Sequence, residues 1–145
     1  MGVDVIIGGH PHVIQEFEVL HSDDGHEMLC LYSMGNALSN QRRELMDPEE
    51  PRGYTEDGLV IQLTFEKFNN GKTRIGAVNI IPTWVQLDGN GYQIIALNGS
   101  DPWSWGSTDT YSAIDSYNRT MERLGSEYID WRQRKHQDTV QEYIS

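Results

Sequence analysis

Apolar positions fall into short, strand-length runs up to about residue 97 and into helical spacing after it. Val3-Asp4-Val5-Ile6-Ile7 is apolar with hardly any alternation, the pattern of a strand covered on both faces. From Val13 to Leu20 the chain alternates, with Val13, Gln15, Phe17 and Val19 on one side. The polar stretch His21-Ser22-Asp23-Asp24-Gly25-His26 follows, and its Asp-Gly step predicts a hairpin of Gln15–Leu20 with Glu27–Ser33. Leu38–Asp57 is polar, carries two prolines and predicts a surface loop. Gly58–Phe68 (Leu59, Ile61, Leu63 and Phe65 on one face), Thr73–Trp84 and Tyr92–Leu97 then read as an antiparallel meander. The turns are Asn69-Asn70-Gly71-Lys72 and Asp88-Gly89-Asn90-Gly91.

Beyond Asp101 the period changes. Ile114, Tyr117, Met121 and Leu124 share one face of a helix expected over Tyr111–Leu124, with Ser107 or Thr108 as its cap. Gly125 is expected to break it. Ser126–Tyr143 reads as a second, more polar helix on the surface or against sequence outside this chain. This divides the chain into a unit over residues 1–100 and a helical tail over 101–145.

Composition narrows the partners. The 145 residues are enough for one domain with a real core. With 22 acidic and 11 basic residues the formal charge is -11, which argues against nucleic acid and against docking on anionic lipid. Cys30, the one cysteine, sits in the apolar run Met28–Tyr32 and reads as a small buried hydrophobe. No run approaches the roughly 18 apolar residues of a membrane span.

The stretch with most chemical content is Gly8-Gly9-His10-Pro11-His12, directly after the first strand. Proline fixes the backbone between two imidazoles, and glycines let the chain pass close to an ion or phosphate. Imidazoles suit manganese, iron or zinc, so His10 and His12 are candidate metal ligands. Arg42 and Arg43 are weaker candidates for contact with an anionic substrate, a solvated pair being the simpler reading. Trp84, Trp103, Trp105 and Trp131 are read as cover for the core before a binding groove.

Gly2–Gln15, then Tyr32–Ser39 with Gln41, then Gly58-Leu59 opening a strand, together resemble the bacterial capsule synthesis family related to the poly-gamma-glutamate synthesis protein CapA. That family is similar to the calcineurin-like metallophosphatases, and the resemblance runs in order over roughly Gly2–Pro82. It implies that His10 and His12 are ligands, one for each ion of a dinuclear site. Two such ions polarise a phosphoryl oxygen and activate a water. The acidic, asparagine and histidine ligands of the family's earlier motifs are absent here. Asp24-Gly25-His26 copies one motif's spelling but falls in the expected hairpin turn. Gly35-Asn36 copies another, followed by Ala37 and Leu38 instead of ligands.

The resulting expectation is an α+β fragment of an α/β metallophosphatase-like sandwich, with a buried N-terminal strand, an antiparallel meander and C-terminal helices. The parent protein would be a metal-dependent hydrolase at the bacterial cell surface, acting on an anionic polymer or phosphoester; this chain alone would be silent. The alternative is a non-catalytic component of capsule polymer assembly or export that keeps the fold. Expected partners are the missing N-terminal half of the domain and a second copy paired through an exposed strand edge.

Overall fold

The structure, a computed structural model, describes residues 2–41 and 54–144. It is an α+β arrangement of two three-stranded sheets and one long C-terminal helix. Strands β1 (Val5–Ile7), β2 (Phe17–His21) and β3 (Glu27–Leu31) form the first sheet in the order β1-β3-β2. β3 pairs antiparallel with β2 and parallel with β1. The hairpin forms around the expected turn, where Gly25, at φ 82°, donates its N–H to the Ser22 carbonyl. Cys30 is buried in β3.

The second sheet is the expected meander, in the order β4 (Asp57–Lys67), β5 (Thr73–Asp88), β6 (Gly91–Ala96). Leu59, Val78 and Ile80 face the core, and the expected face of β4 holds for Leu59, Ile61 and Leu63 and fails only at Phe65. A bulge between Thr64 and Phe65 shifts the register, and Phe65 is 59% exposed. The sheets are tied at one end by the bridge Gly35↔Gly58, by the Leu59 N–H to the Met34 carbonyl (3.1 Å) and by the Asn36 N–H to the Asp57 carbonyl (3.3 Å). This contact is close enough to need glycine. A Cβ on Gly58 would lie 2.1 Å from the Asn36 carbonyl oxygen, and one on Gly35, at φ 70°, 2.4 Å from that of Asp57.

Helix α1 (Thr110–Ile144) lies across β5 and β2. As the sequence predicts, Gly125 breaks it: at φ 73°, ψ −179° its backbone is not helical, so α1 is two helical segments that meet at a kink. Its cap is Asp109, the residue immediately after the nearer expected candidate, Thr108. Asp109 Oδ1 accepts the Ser112 N–H (3.1 Å) and Oδ2 the Ser112 hydroxyl (2.7 Å). Ser107, through its hydroxyl, and Thr108, through its N–H, instead donate to Gln86 Oε1. The buried face is also rotated from the apolar stripe: Ala113, Ser116, Thr120 and Leu124 are its most buried positions before the kink. Small and hydroxylated residues let the helix approach the sheet closely, and hydrophobicity alone does not mark them.

Past the kink, the first turns of the second segment pack on the core, where a surface position was expected. Tyr128 and Trp131 are buried, Tyr128 packs edge-on to Phe17 at 5.3 Å, and its hydroxyl accepts the Ile80 N–H at 3.2 Å. The main core thus joins Phe17, Val19, Leu29 and Leu31 of the first sheet, Leu59, Val78 and Ile80 of the second, and Leu124, Tyr128 and Trp131 of the helix. A smaller cluster gathers Trp84, Ile95, Leu97 and Ala113, with Trp105 and Tyr117 against it. Trp103 alone of the four tryptophans stays open, 68% exposed.

The N-terminal strand is not buried. Val5 packs on the core, while Ile6 and Ile7 are 41% and 47% exposed. β1 pairs with β3 along one edge, and no described element covers its other face or edge. Its run without alternation therefore describes two coverable faces of which one end of one is used. Among the described residues no helix is long and apolar enough to cross a membrane.

Candidate metal-ligand loop and the buried ion pair beside it

The loop after β1 is aimed by backbone contacts. Gly8 donates its N–H to the Leu31 carbonyl at 2.7 Å, and a Cβ there would stand 2.1 Å from the Tyr32 carbonyl oxygen. Glycine is needed at position 8 to let the chain pass β3, whereas a Cβ on Gly9 would meet nothing within 4 Å. From there His10 and His12 extend outward, both exposed. Both hold positive φ, 130° at His10 and 61° at His12. For non-glycine residues such backbone costs on the order of 1–3 kcal/mol and concentrates at functional sites.

His12 is the better fixed of the two. Its Nδ1 lies 2.8 Å from Asn36 Oδ1. Asn36 is buried, and its Nδ2 donates to the His12 carbonyl (3.1 Å) and the Thr55 carbonyl (2.9 Å). Two carbonyl acceptors settle which end of the amide is nitrogen, so Oδ1 faces the ring and Nδ1 must carry the proton. The lone pair is then on Nε2. A hydrogen bond that fixes the tautomer and orients the ring is the usual support of a histidine ligand.

The same carbonyl cluster leads to a buried ion pair. Asp57, at the start of β4, accepts from Ser116 Oγ (2.7 Å) and Arg119 Nη2 (2.9 Å) on Oδ1, and from Arg119 Nε (3.0 Å) on Oδ2. The Arg119 guanidinium also stacks on the Tyr54 ring, 4.0 Å from its centroid. Burial works against the Arg119 charge, and the hydrogen bonds and charge of Asp57, with Glu56 and Tyr54 beyond, outweigh it and raise its pKa. The pair couples α1 to the strand end that holds Asn36.

Of the residues singled out in the sequence, His10 and His12 share this loop, while Arg42 and Arg43 lie outside the described residues. Asp24-Gly25-His26 sits in the β2–β3 turn as expected, with His26 Nε2 3.4 Å from Asp4 Oδ1. Asn36 carries more weight than its spelling suggested: it holds His12 as a supporting residue. Asp57, Ser116 and Arg119 were not legible as a cluster, because Asp57 is separated from the other two by 59 and 62 positions. Among the described residues no group of three or more His, Cys, Asp or Glu side chains is placed to hold one ion.

Comparison with known sequences matches residues 1–41 to the family model of the bacterial capsule synthesis protein PGA_cap. Searches of curated proteins and of solved structures return no match. The matched segment takes in β1, the histidine loop, the first hairpin and Asn36, the elements that build the site. Over residues 1–41, a little under a third of the chain, the sequence is thus similar to the bacterial capsule synthesis proteins.

Proposed function

We propose that this chain supplies the histidine-pair end of a divalent-metal site in a capsule-synthesis protein with a metallophosphatase-like mechanism. The observation that carries the reading is His12: its Nδ1–H is engaged by a buried, doubly anchored Asn36, which leaves Nε2 as the donor to an ion. His10 shares the loop and its strained backbone. An ion held there would act as a Lewis acid toward a phosphoryl or carbonyl oxygen. Manganese, iron and zinc suit imidazole, and the substrate class is an anionic polymer such as poly-gamma-glutamate or a phosphoester, handled at the bacterial cell surface. Two imidazoles complete only half of the usual ligand set, so the remaining donors come from outside the described residues.

Metal titration of the chain tests this. Zinc or manganese is expected to bind weakly to the wild type and not to a His10→Ala, His12→Ala double variant. Equal metal uptake by wild type and double variant would overturn the reading. A second reading, a non-catalytic capsule component with structural histidines, is favoured by the strained histidine backbone standing, among the described residues, without a third donor beside it. It predicts that the double variant loses stability and no metal.

A further inference from the structure

A second site lies on the helix side of the Asp57–Arg119 pair, built from side chains other than the histidines and independent of any metal. A cleft of about 120 Å³ is lined by Val13, Ile14, Tyr54, Asp57, Arg119, Thr120 and Arg123. It is smaller than the roughly 300–1,000 Å³ of pockets that enclose whole drug-sized ligands, so it suits one functional group.

The polar groups in the cleft are unevenly satisfied. Thr120 is 1% exposed, and its Oγ1 is buried with no hydrogen-bond partner. A buried hydroxyl left without a partner gives up its hydration with nothing in exchange. Arg123 is one helical turn further on, where its Nη1 meets Glu16 Oε1 at 3.8 Å, and both side chains are mostly in solvent. A pair that long and exposed is easily exchanged. Arg119 uses Nε and Nη2 on Asp57, and a guanidinium carries five N–H donors in all. Asp57 is the one acid in the lining; both of its oxygens are occupied by Arg119 and Ser116, which offsets its repulsion of a second anion.

We infer that this cleft binds an oxyanion, a phosphate or carboxylate group, which accepts from Thr120 Oγ1 and from the Arg123 guanidinium. An oxyanion supplies the acceptor that the Thr120 hydroxyl lacks and matches the planar donor fork of arginine. On a chain of formal charge -11, the two guanidinium groups in the lining offset the Asp57 carboxylate, so the cleft does not carry the negative charge of the chain as a whole.

The test is a titration of the ¹⁵N-labelled 145-residue chain with inorganic phosphate and, separately, with glutarate, at constant ionic strength set with sodium chloride. Saturable shifts of the Thr120 amide and the Arg123 side-chain N–H with at least one of the two are expected. Phosphate alone, or glutarate alone, identifies which oxyanion the cleft prefers. Thr120→Val and Arg123→Gln should each weaken that binding at least tenfold. Thr120→Val conserves shape and removes only an unpartnered hydroxyl, and Arg123 is largely in solvent, so both variants should keep the dispersed spectrum of the fold. Wild-type affinity in either variant, or no saturable shift with either anion, overturns the assignment.

Discussion

The residues that matter most here are polar groups placed where their partners are fixed. Asn36 makes three hydrogen bonds from one buried side chain, and removing it leaves the Thr55 and His12 carbonyls to find new donors. Asn36→Ala is expected to cost about 2–4 kcal/mol in chemical denaturation, from those lost partners together. His10 presents the reverse case, because its φ of 130° is one that glycine holds without strain. His10→Gly should hold or raise the melting temperature while weakening metal binding, the exchange of stability for function expected at a strained site. Burial pushes the Cys30 thiol above its ordinary pKa, with the Glu18 charge adding to it. It should react with a thiol reagent only after unfolding, which a denaturant-dependent labelling rate checks. His10 and His12 were legible as a pair, because the spacing is local. The role of Asn36 was not, because a Gly-Asn step reads equally as a turn.

At the level of elements, helix α1 is set by its cap and by the ion pair that follows it. Hydrogen bonds from the Ser112 hydroxyl and N–H hold the Asp109 carboxyl below its ordinary pKa of 3.8. A carboxyl whose pKa is lower folded than unfolded stabilises the fold above the unfolded value, and that contribution is lost as pH falls through the folded one. Asp109→Ala should therefore destabilise by about 1 kcal/mol at neutral pH, and its gap from wild type should narrow below about pH 3.8. Asp109→Asn, which still caps, should stay close to wild type at neutral pH. Arg119 makes a harsher demand, since without it the buried Asp57 carboxylate keeps, among the described residues, only Ser116. Arg119→Met is expected to cost about 3–5 kcal/mol, read from urea midpoints. The helix itself was visible in the sequence, and so was its break at Gly125. Its cap and its buried face were displaced, because Ala113 and Thr120 pack by their small size and Ser116 by its hydrogen bond to Asp57, which a hydrophobic stripe does not weigh.

Across the whole molecule, the open edge of β1 is the feature with most consequence for behaviour in solution. Val3, Ile6 and Ile7 are exposed beside a strand whose second edge is unpaired among the described residues. Such an edge invites pairing with another strand. Concentration-dependent association is expected in sedimentation, and Ile6→Lys should reduce it without changing the far-ultraviolet circular dichroism. Local order, by contrast, follows directly from the sequence. The hairpin, the meander with its two turns, the C-terminal helix and the histidine pair all depend on residues within a few positions of one another, where alternation, turn chemistry and φ preferences act. The tertiary structure alone decided which faces were covered and which distant residues met. It left β1 half open, brought Tyr128 and Trp131 back to the core, seated Asn36 under His12 and closed Asp57 on Arg119 from 62 positions away. Those outcomes depend on how two sheets and a helix dock, which is settled by the volume and donors each surface offers the others and is written in no single stretch of the chain.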